Sequence, residues 1–458
     1  MKKNKKQDKK IPVSSFKTEN EIYEMVYDKY DNSTSFFKIT RDGEFRCFVD
    51  EFTHEGKTYV PLPPDHELLS KDVILFPSAA MDYGSEDELL EEIRSFIHKY
   101  LDVSENFEHI AAYYVLFSWL FDQFNEVPYL RALGDFGSGK SRFLQTIGSI
   151  CYKPIFTGGA TTTAPIFRII NEVKGTLIID EADFRFSDMS AEIIKILNTG
   201  YQKGTAVLRC EGQGAYEVKA YDVYCPKIIG TREKFKDKAL ESRFLIEEMG
   251  SENLRADIPL TLEKEFYRDA EMLRNKLLMW RLKNYFQPIK KSTIRIPDIH
   301  PRLNQIIIPL LSIIKDELTQ RDLIKFITAY NQELTEDRGL SWESDIILAI
   351  LQLQHETKES EVTVGDIAAR VNENADLQDE NLTPKKVGWF LRSKLQLKPY
   401  KTRNGFVLNF KKDESKLDMW RKRFGVTLED ITGEDENIVN DVNDTQNAED
   451  ISWDSDQE

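Results

Sequence analysis

Cysteine, histidine and long apolar runs are all scarce in this 458-residue chain. The four cysteines, Cys47, Cys151, Cys210 and Cys225, show no CxxC or CxxxH spacing, and the six histidines do not gather near them. That pattern argues against a disulfide framework and against a structural zinc. The most apolar stretch, Ile306 to Ile314, is nine residues long, far short of the ~20 that a bilayer-spanning helix needs. The opening MKKNKKQDKK is basic but leads into no apolar core of a secretory signal. A soluble, cytoplasmic protein with no membrane partner is therefore expected. Charge is what the chain has in plenty: 31% of residues are Asp, Glu, Lys or Arg and 41% are hydrophobic, enough for two to four domains with proper cores.

A net charge of -16 looks unfavourable for a nucleic-acid partner, but the charge is unevenly spread. Residues 429–458 hold twelve Asp/Glu and no Lys/Arg, so everything before them sums to 62 - 66 = -4. Residues 383–424 carry thirteen Lys/Arg against three Asp/Glu, a local +10. The chain is an almost balanced body with a basic segment and an acidic tail.

Along the chain, residues 1 to about 30 read as polar and only partly ordered. Strand-like runs then alternate with Asp42-Gly43 and Glu55-Gly56, which are hairpin signals. Ser85 and Glu88 form a capping box ahead of a helix over about 86–101, and the apolar IAAYYVLFSWLF after Ser104 predicts a buried helix. Strand and helix signals alternate to about 250, as in a parallel α/β sheet, and then turn mainly helical. The expected division is an N-terminal domain with β hairpins (1–84), an α/β core (85–250), a helical lid and connector (251–355), a C-terminal domain (356–425) and a disordered acidic tail (426–458).

The chemistry begins at Gly134-Asp135-Phe136-Gly137-Ser138-Gly139-Lys140-Ser141, which fits GxxxxGK[ST] between a predicted strand and a predicted helix. Glycines at 134, 137 and 139 let backbone N–H groups turn toward phosphate oxygens, with Ser138 between them. Lys140 is placed to reach the β- and γ-phosphates of ATP, and Ser141 to ligate Mg²⁺. About 40 residues on, the apolar Thr176-Leu177-Ile178-Ile179 ends in Asp180-Glu181. Asp180 is the candidate Mg²⁺ partner and Glu181 the candidate base for attack on the γ-phosphate. A second apolar strand ends at Thr231, and Arg243 follows twelve residues later in ALESRF.

At that point the order of motifs resembles the AAA+ ATPases. ALESRF, with Thr161-Thr162-Thr163-Ala164-Pro165-Ile166-Phe167-Arg168, is similar to the MCM-like branch and to replicative helicases of mobile genetic elements. The resemblance covers about 105–320. It implies that Thr231 is a sensor for the attacking water and that Arg243 is an arginine finger serving a neighbouring subunit. It also implies that Arg302, in His300-Pro301-Arg302-Leu303, is a nucleotide-binding second sensor in the helical lid, the competing reading being an ordinary helix-start arginine. The competing reading of Arg243 is an ion pair with Glu241 or Glu247.

Two segments are candidates for DNA contact. Strand-like runs around Glu211-Gly212-Gln213-Gly214 predict a hairpin where related helicases insert one into a central pore, making Lys203, Arg209 and Lys219 candidate phosphate contacts. The alternative is a hairpin that only packs on the core. Near the C-terminus, a helix over about 363–374, a second over 383–395 and a hairpin turning at Asn404-Gly405 resemble a winged helix. Lys385, Lys386, Arg392 and Lys394 would lie on its recognition helix, and Lys401 and Arg403 on its wing. Taken together, the expectation is an ATP- and Mg²⁺-dependent DNA helicase or translocase of a phage or mobile element. It would act on single-stranded or forked DNA as a homo-oligomeric ring, a hexamer, with primase, polymerase or other replication proteins as partners. The alternative is an AAA+ machine that remodels proteins or regulates transcription and binds DNA without unwinding it.

Overall fold

The computed structural model describes residues 10–432 except 44–45, 159–162, 181–187, 212–216, 236, 251–254, 290–294, 298, 300, 340–341, 358–359, 375–381 and 404. The chain divides into two compact units, with the boundary between Ile327 and Thr328.

The first unit opens with two small sheets. An antiparallel meander runs through Ser15–Lys17, Glu21–Asp28, Ser33–Thr40 and Arg46–Val49. Phe52–His54 and Lys57–Val60 form a hairpin whose two turn residues, Glu55 (φ 50°) and Gly56 (φ 73°), both adopt left-handed backbone, the two-residue turn that matches strand twist. Within the first 30 residues, read from sequence as partly ordered, Ile22 through Tyr27 are all buried in a central strand that the pattern did not reveal. Glu24 in the middle of that strand is what hid it, because a carboxylate breaks the apolar pattern of a core segment.

Glu24 is only 1% exposed and is surrounded by partners distant in sequence. It accepts from Tyr152 Oη (2.9 Å) and Arg281 Nε (2.8 Å) and pairs with Lys153 Nζ (3.0 Å). Arg281 continues to Asp122 (2.9 and 3.1 Å), which also accepts from Lys17 Nζ (3.2 Å). The cluster thus joins the N-terminal meander, the segment after the first buried helix and the long helix Lys264–Asn284.

Behind the meander lies a five-stranded, all-parallel sheet in the order Phe244–Glu248, Tyr129–Leu133, Lys227–Thr231, Leu177–Ile179, Ile155–Thr157. Tyr129–Leu133 and Lys227–Thr231 are buried along their whole length, as expected of strands covered on both faces. Among their buried polar residues, Arg131 is fully buried and forks onto Glu241 through both Nη atoms. The predicted capping box is present: Ser85 accepts from Glu88 N, and Glu88 accepts from Ser85 N, at the head of Glu86–Tyr100. Glu105–Leu120 is buried nearly all round, as its uniformly apolar sequence requires.

In the second unit, Trp342–Glu356, Val364–Asn374 and Pro384–Ser393 enclose a core that includes Ile346, Ile350, Ile367, Val371 and Leu391. Gly405–Asn409 sits between Glu361–Thr363 and Tyr400–Thr402 in a three-stranded antiparallel sheet. The helix Phe410–Phe424 follows, which the sequence pattern did not reveal. The start of the acidic tail is also corrected: Val426 is buried and Leu428–Thr432 is helical, since Val426 and Ile431 add apolar contacts to this core.

Candidate functional site

All five parallel strands point their carboxyl ends the same way, which is where open α/β sheets bind ligands. Gly134–Gly139 leaves the buried strand Tyr129–Leu133 at that end and runs into the helix Lys140–Ser149. Gly137 (φ 78°) and Gly139 (φ 93°) occupy left-handed backbone that a side chain would strain, and Gly139 is the helix N-cap. A helix N-terminus opening from such a loop favours an anion.

Around this loop the structure brings together most of the residues singled out for nucleotide chemistry. Ser141 Oγ donates to Asp180 Oδ2 at 2.8 Å, linking the loop helix to the end of Leu177–Ile179. Lys140 Nζ donates to the carbonyls of Gly134 (2.7 Å) and Asp135 (2.6 Å), so its ammonium lies within the loop. Gly134 N donates to the Thr231 carbonyl (3.1 Å), which places Thr231 beside the loop. Two hydroxyls here, Ser138 Oγ and Thr231 Oγ1, are buried with no hydrogen-bond partner among the described residues. Orphaned polar groups of this kind in a glycine-lined cradle fit a ligand rich in oxygen acceptors. The residues therefore suit a nucleoside triphosphate, with Ser141 and Asp180 as the pair for a divalent cation. Glu181 lies outside the described residues.

Gly134 cannot carry a side chain without disturbing the loop. A Cβ there would lie 2.4 Å from the Met249 carbonyl oxygen and 2.6 Å from Ser138 Oγ. Gly134→Ala is expected to weaken nucleotide affinity roughly 5- to 150-fold, equivalent to about 1–3 kcal/mol of overpacking. Titration with a fluorescent ATP analogue checks it, and unchanged affinity would show that the loop can relax.

Two predicted nucleotide contacts lie elsewhere. The Arg243 carbonyl accepts from Tyr129 N (2.9 Å) at the amino end of the loop strand. Five strand residues at ~3.3 Å each put it about 17 Å from the loop. Arg302 Nη1 donates to the Ala239 carbonyl (3.1 Å), so Arg302 stands near Arg243 and not beside the chain's own phosphate loop.

Arg243 is 5% exposed. Its guanidinium lies 4.2 Å over the Tyr201 ring and donates to Asn198 Oδ1, while Asn198 Nδ2 donates to Asp237 Oδ2 (3.2 Å). Burial pushes the guanidinium below its ordinary range, and the nearby Arg302 charge adds to the effect. The two acids that sequence offered it are engaged with other groups: Glu241 with Arg131, and Glu247 with Ser104 N (2.8 Å). Sequence reasoning missed Asn198 and Tyr201, whose proximity depends on tertiary packing. It also missed Arg232, 6.0 Å over the loop's Phe136 ring; a cation directly after the Thr231 strand was the available signal.

Of the hairpin cations, Lys203 donates to the Asp122 carbonyl (2.7 Å), and Arg209 pairs with Glu192 (3.0 Å) and covers the Phe167 ring (5.1 Å). Each of these two cations thus has a partner within the fold, and Lys203 remains exposed. Lys219 lies opposite Arg209 in the hairpin and is exposed. In the second unit Lys385, Lys386, Arg392, Lys394, Lys401 and Arg403 are all exposed.

No family model matches this chain, and no curated protein matches it. Among solved structures it is similar to the apo C-terminal region of NrS-1, at 11% identity and a TM-score of 0.35 over 84% of this chain and 95% of that one. It is also similar to the JCV helicase, at 10% identity and a TM-score of 0.25 over 57% of this chain and 64% of that one. Likeness this remote decides neither fold nor activity.

Proposed function

We propose that the chain is an AAA+-type, ATP-dependent DNA helicase or translocase that works as an oligomeric ring, a hexamer, in replication of a mobile element or phage. The observation that carries the reading is the 2.8 Å bond from Ser141 to Asp180 at the mouth of a glycine-lined loop. Those two groups would hold Mg²⁺, which when bound with ATP neutralises charge on the transferring phosphoryl group. Lys140 would bind the β- and γ-phosphates, and Thr231 would orient the attacking water. Glu181, by its place after Asp180, would take that water's proton.

Arg243 and Arg302 lie at the wrong end of the sheet to assist their own site. In a ring they would face the nucleotide of the next subunit, which supports an oligomer as the active species. The exposed cations of the second unit, arranged on helix, helix and hairpin, support a winged helix that receives single-stranded or forked DNA. The primase, polymerase or other replication proteins would then meet the ring at the fork.

One experiment separates this from an ATPase that remodels proteins or regulates transcription: ATP hydrolysis and strand displacement measured with and without forked DNA. Forked DNA is expected to raise turnover and to lose its annealed strand. A rate indifferent to DNA would sink the helicase reading.

A further inference from the structure

Two aromatic rings stand in the open in the second unit where nothing in its fold calls for them. Trp389, on Pro384–Ser393, is 51% exposed, and Phe406, on Gly405–Asn409, is 46% exposed. Their chain neighbours behave otherwise: Val387, Leu391 and Leu408 are fully buried in the core. A helix that needed only to pack would turn its tryptophan inward, so the exposed ring suggests a surface that binds.

The surroundings of the rings say what kind. On a helix, residues three and four apart share a face, so Lys385, Lys386 and Arg392 flank Trp389. The Arg392 guanidinium lies 5.7 Å over the Phe406 ring, tying helix to strand, and Lys401 lies opposite Phe406 in the hairpin. No Asp or Glu occurs between residues 383 and 412. The face is cationic with two rings set in it.

We propose that this face is a stacking platform for unpaired DNA bases, with Trp389 and Phe406 as the rings and Lys385, Lys386, Arg392 and Lys401 as the phosphate contacts. The proposal rests on the DNA-binding reading above and sharpens it. Cations alone would serve duplex DNA, whose bases are already stacked on each other and offer no free face. Unpaired bases do offer one, and an aromatic ring beside a positively charged track is how single strands are held without regard to sequence. The platform would therefore favour a single strand or the open arms of a fork over a closed duplex.

The test uses the full chain and dye-labelled DNA of one sequence in three forms: single-stranded, forked and blunt duplex, read by fluorescence anisotropy. Trp389→Ala is expected to weaken binding of the first two by about 5- to 150-fold, the equivalent of one lost base–aromatic stack, and to leave duplex affinity unchanged. Trp389→Phe should restore most of it, and an abasic single strand, which can stack on neither ring, should bind wild type no better than the normal strand binds the alanine variant. Equal losses on all three forms, or no loss on any, would overturn the platform while leaving a DNA-binding protein. A wild-type chain that binds no DNA, or that prefers an acidic protein, would overturn the DNA-binding reading itself.

Discussion

Arg243→Ala is expected to lower ATP turnover by about 10³- to 10⁵-fold, the range found when an arginine finger is removed, while nucleotide affinity stays close to wild type. The size follows from position. Arg243 sits at the amino end of the loop strand, about 17 Å from its own phosphate loop, so it cannot serve that site without dismantling the sheet. Its guanidinium is held by the Tyr201 ring and the neutral Asn198 amide, with no ion pair among the described residues. The Asp237 charge reaches it only at one remove, through Asn198, so a phosphate from a neighbouring subunit would supply a direct counter-charge. Mixing decides the point. Lys140→Ala protein lacks a working loop but keeps Arg243, and Arg243→Ala protein has the reverse defect. Together in a ring they form some interfaces with a sound loop and a sound arginine, so the mixture is expected to hydrolyse ATP faster than either alone. A mixture no better than its components, or an Arg243→Ala protein at wild-type speed, would refute action across a subunit boundary.

The parts of the molecule legible in the sequence are those written in consecutive residues. The phosphate loop, the apolar strand ending at Asp180, the Ser85 capping box and the Glu55-Gly56 turn each depend on chemistry within about eight residues, and each takes the expected form. What escaped depends on pairing across the chain. The strand Glu21–Asp28 was hidden by Glu24, whose Arg281 partner lies 257 positions away. For Lys203 and Arg209, read as candidate phosphate contacts, nothing local announces Asp122 or Glu192 as partners. Arg302 read as a second sensor, and only the packing of Pro301–Ile313 near Ala239 shows that it lies at the Arg243 end. Charge type can be read from sequence, whereas the partner of a charge is a property of the fold.

That distinction makes Glu24 the site of the largest expected stability loss. Glu24→Ala would leave Lys153 and Arg281 buried without the carboxylate they share, and breaking a buried pair in this way costs about 3–5 kcal/mol, which urea unfolding would report. Glu24→Leu combined with Lys153→Met should recover much of the loss, because it removes the stranded cation while Arg281 keeps Asp122. The pH dependence has a definite sign. Burial, against the pull of Glu24, pushes Lys153 down to about 8 from an ordinary value near 10.5. The folded protein releases that proton near pH 8 and the unfolded chain only near 10.5, so the Lys153 contribution to stability rises with pH across that window. Asp122 acts at the other end. Burial would raise its carboxyl, but Arg281 and then Lys17 hold it well below the ordinary range. Its contribution is complete above an ordinary carboxylate pKa of ~3.9 and is lost as pH falls below it. If Glu24→Ala unfolds at the wild-type urea midpoint from pH 5 to 9, the cluster does not hold the N-terminal meander to the sheet.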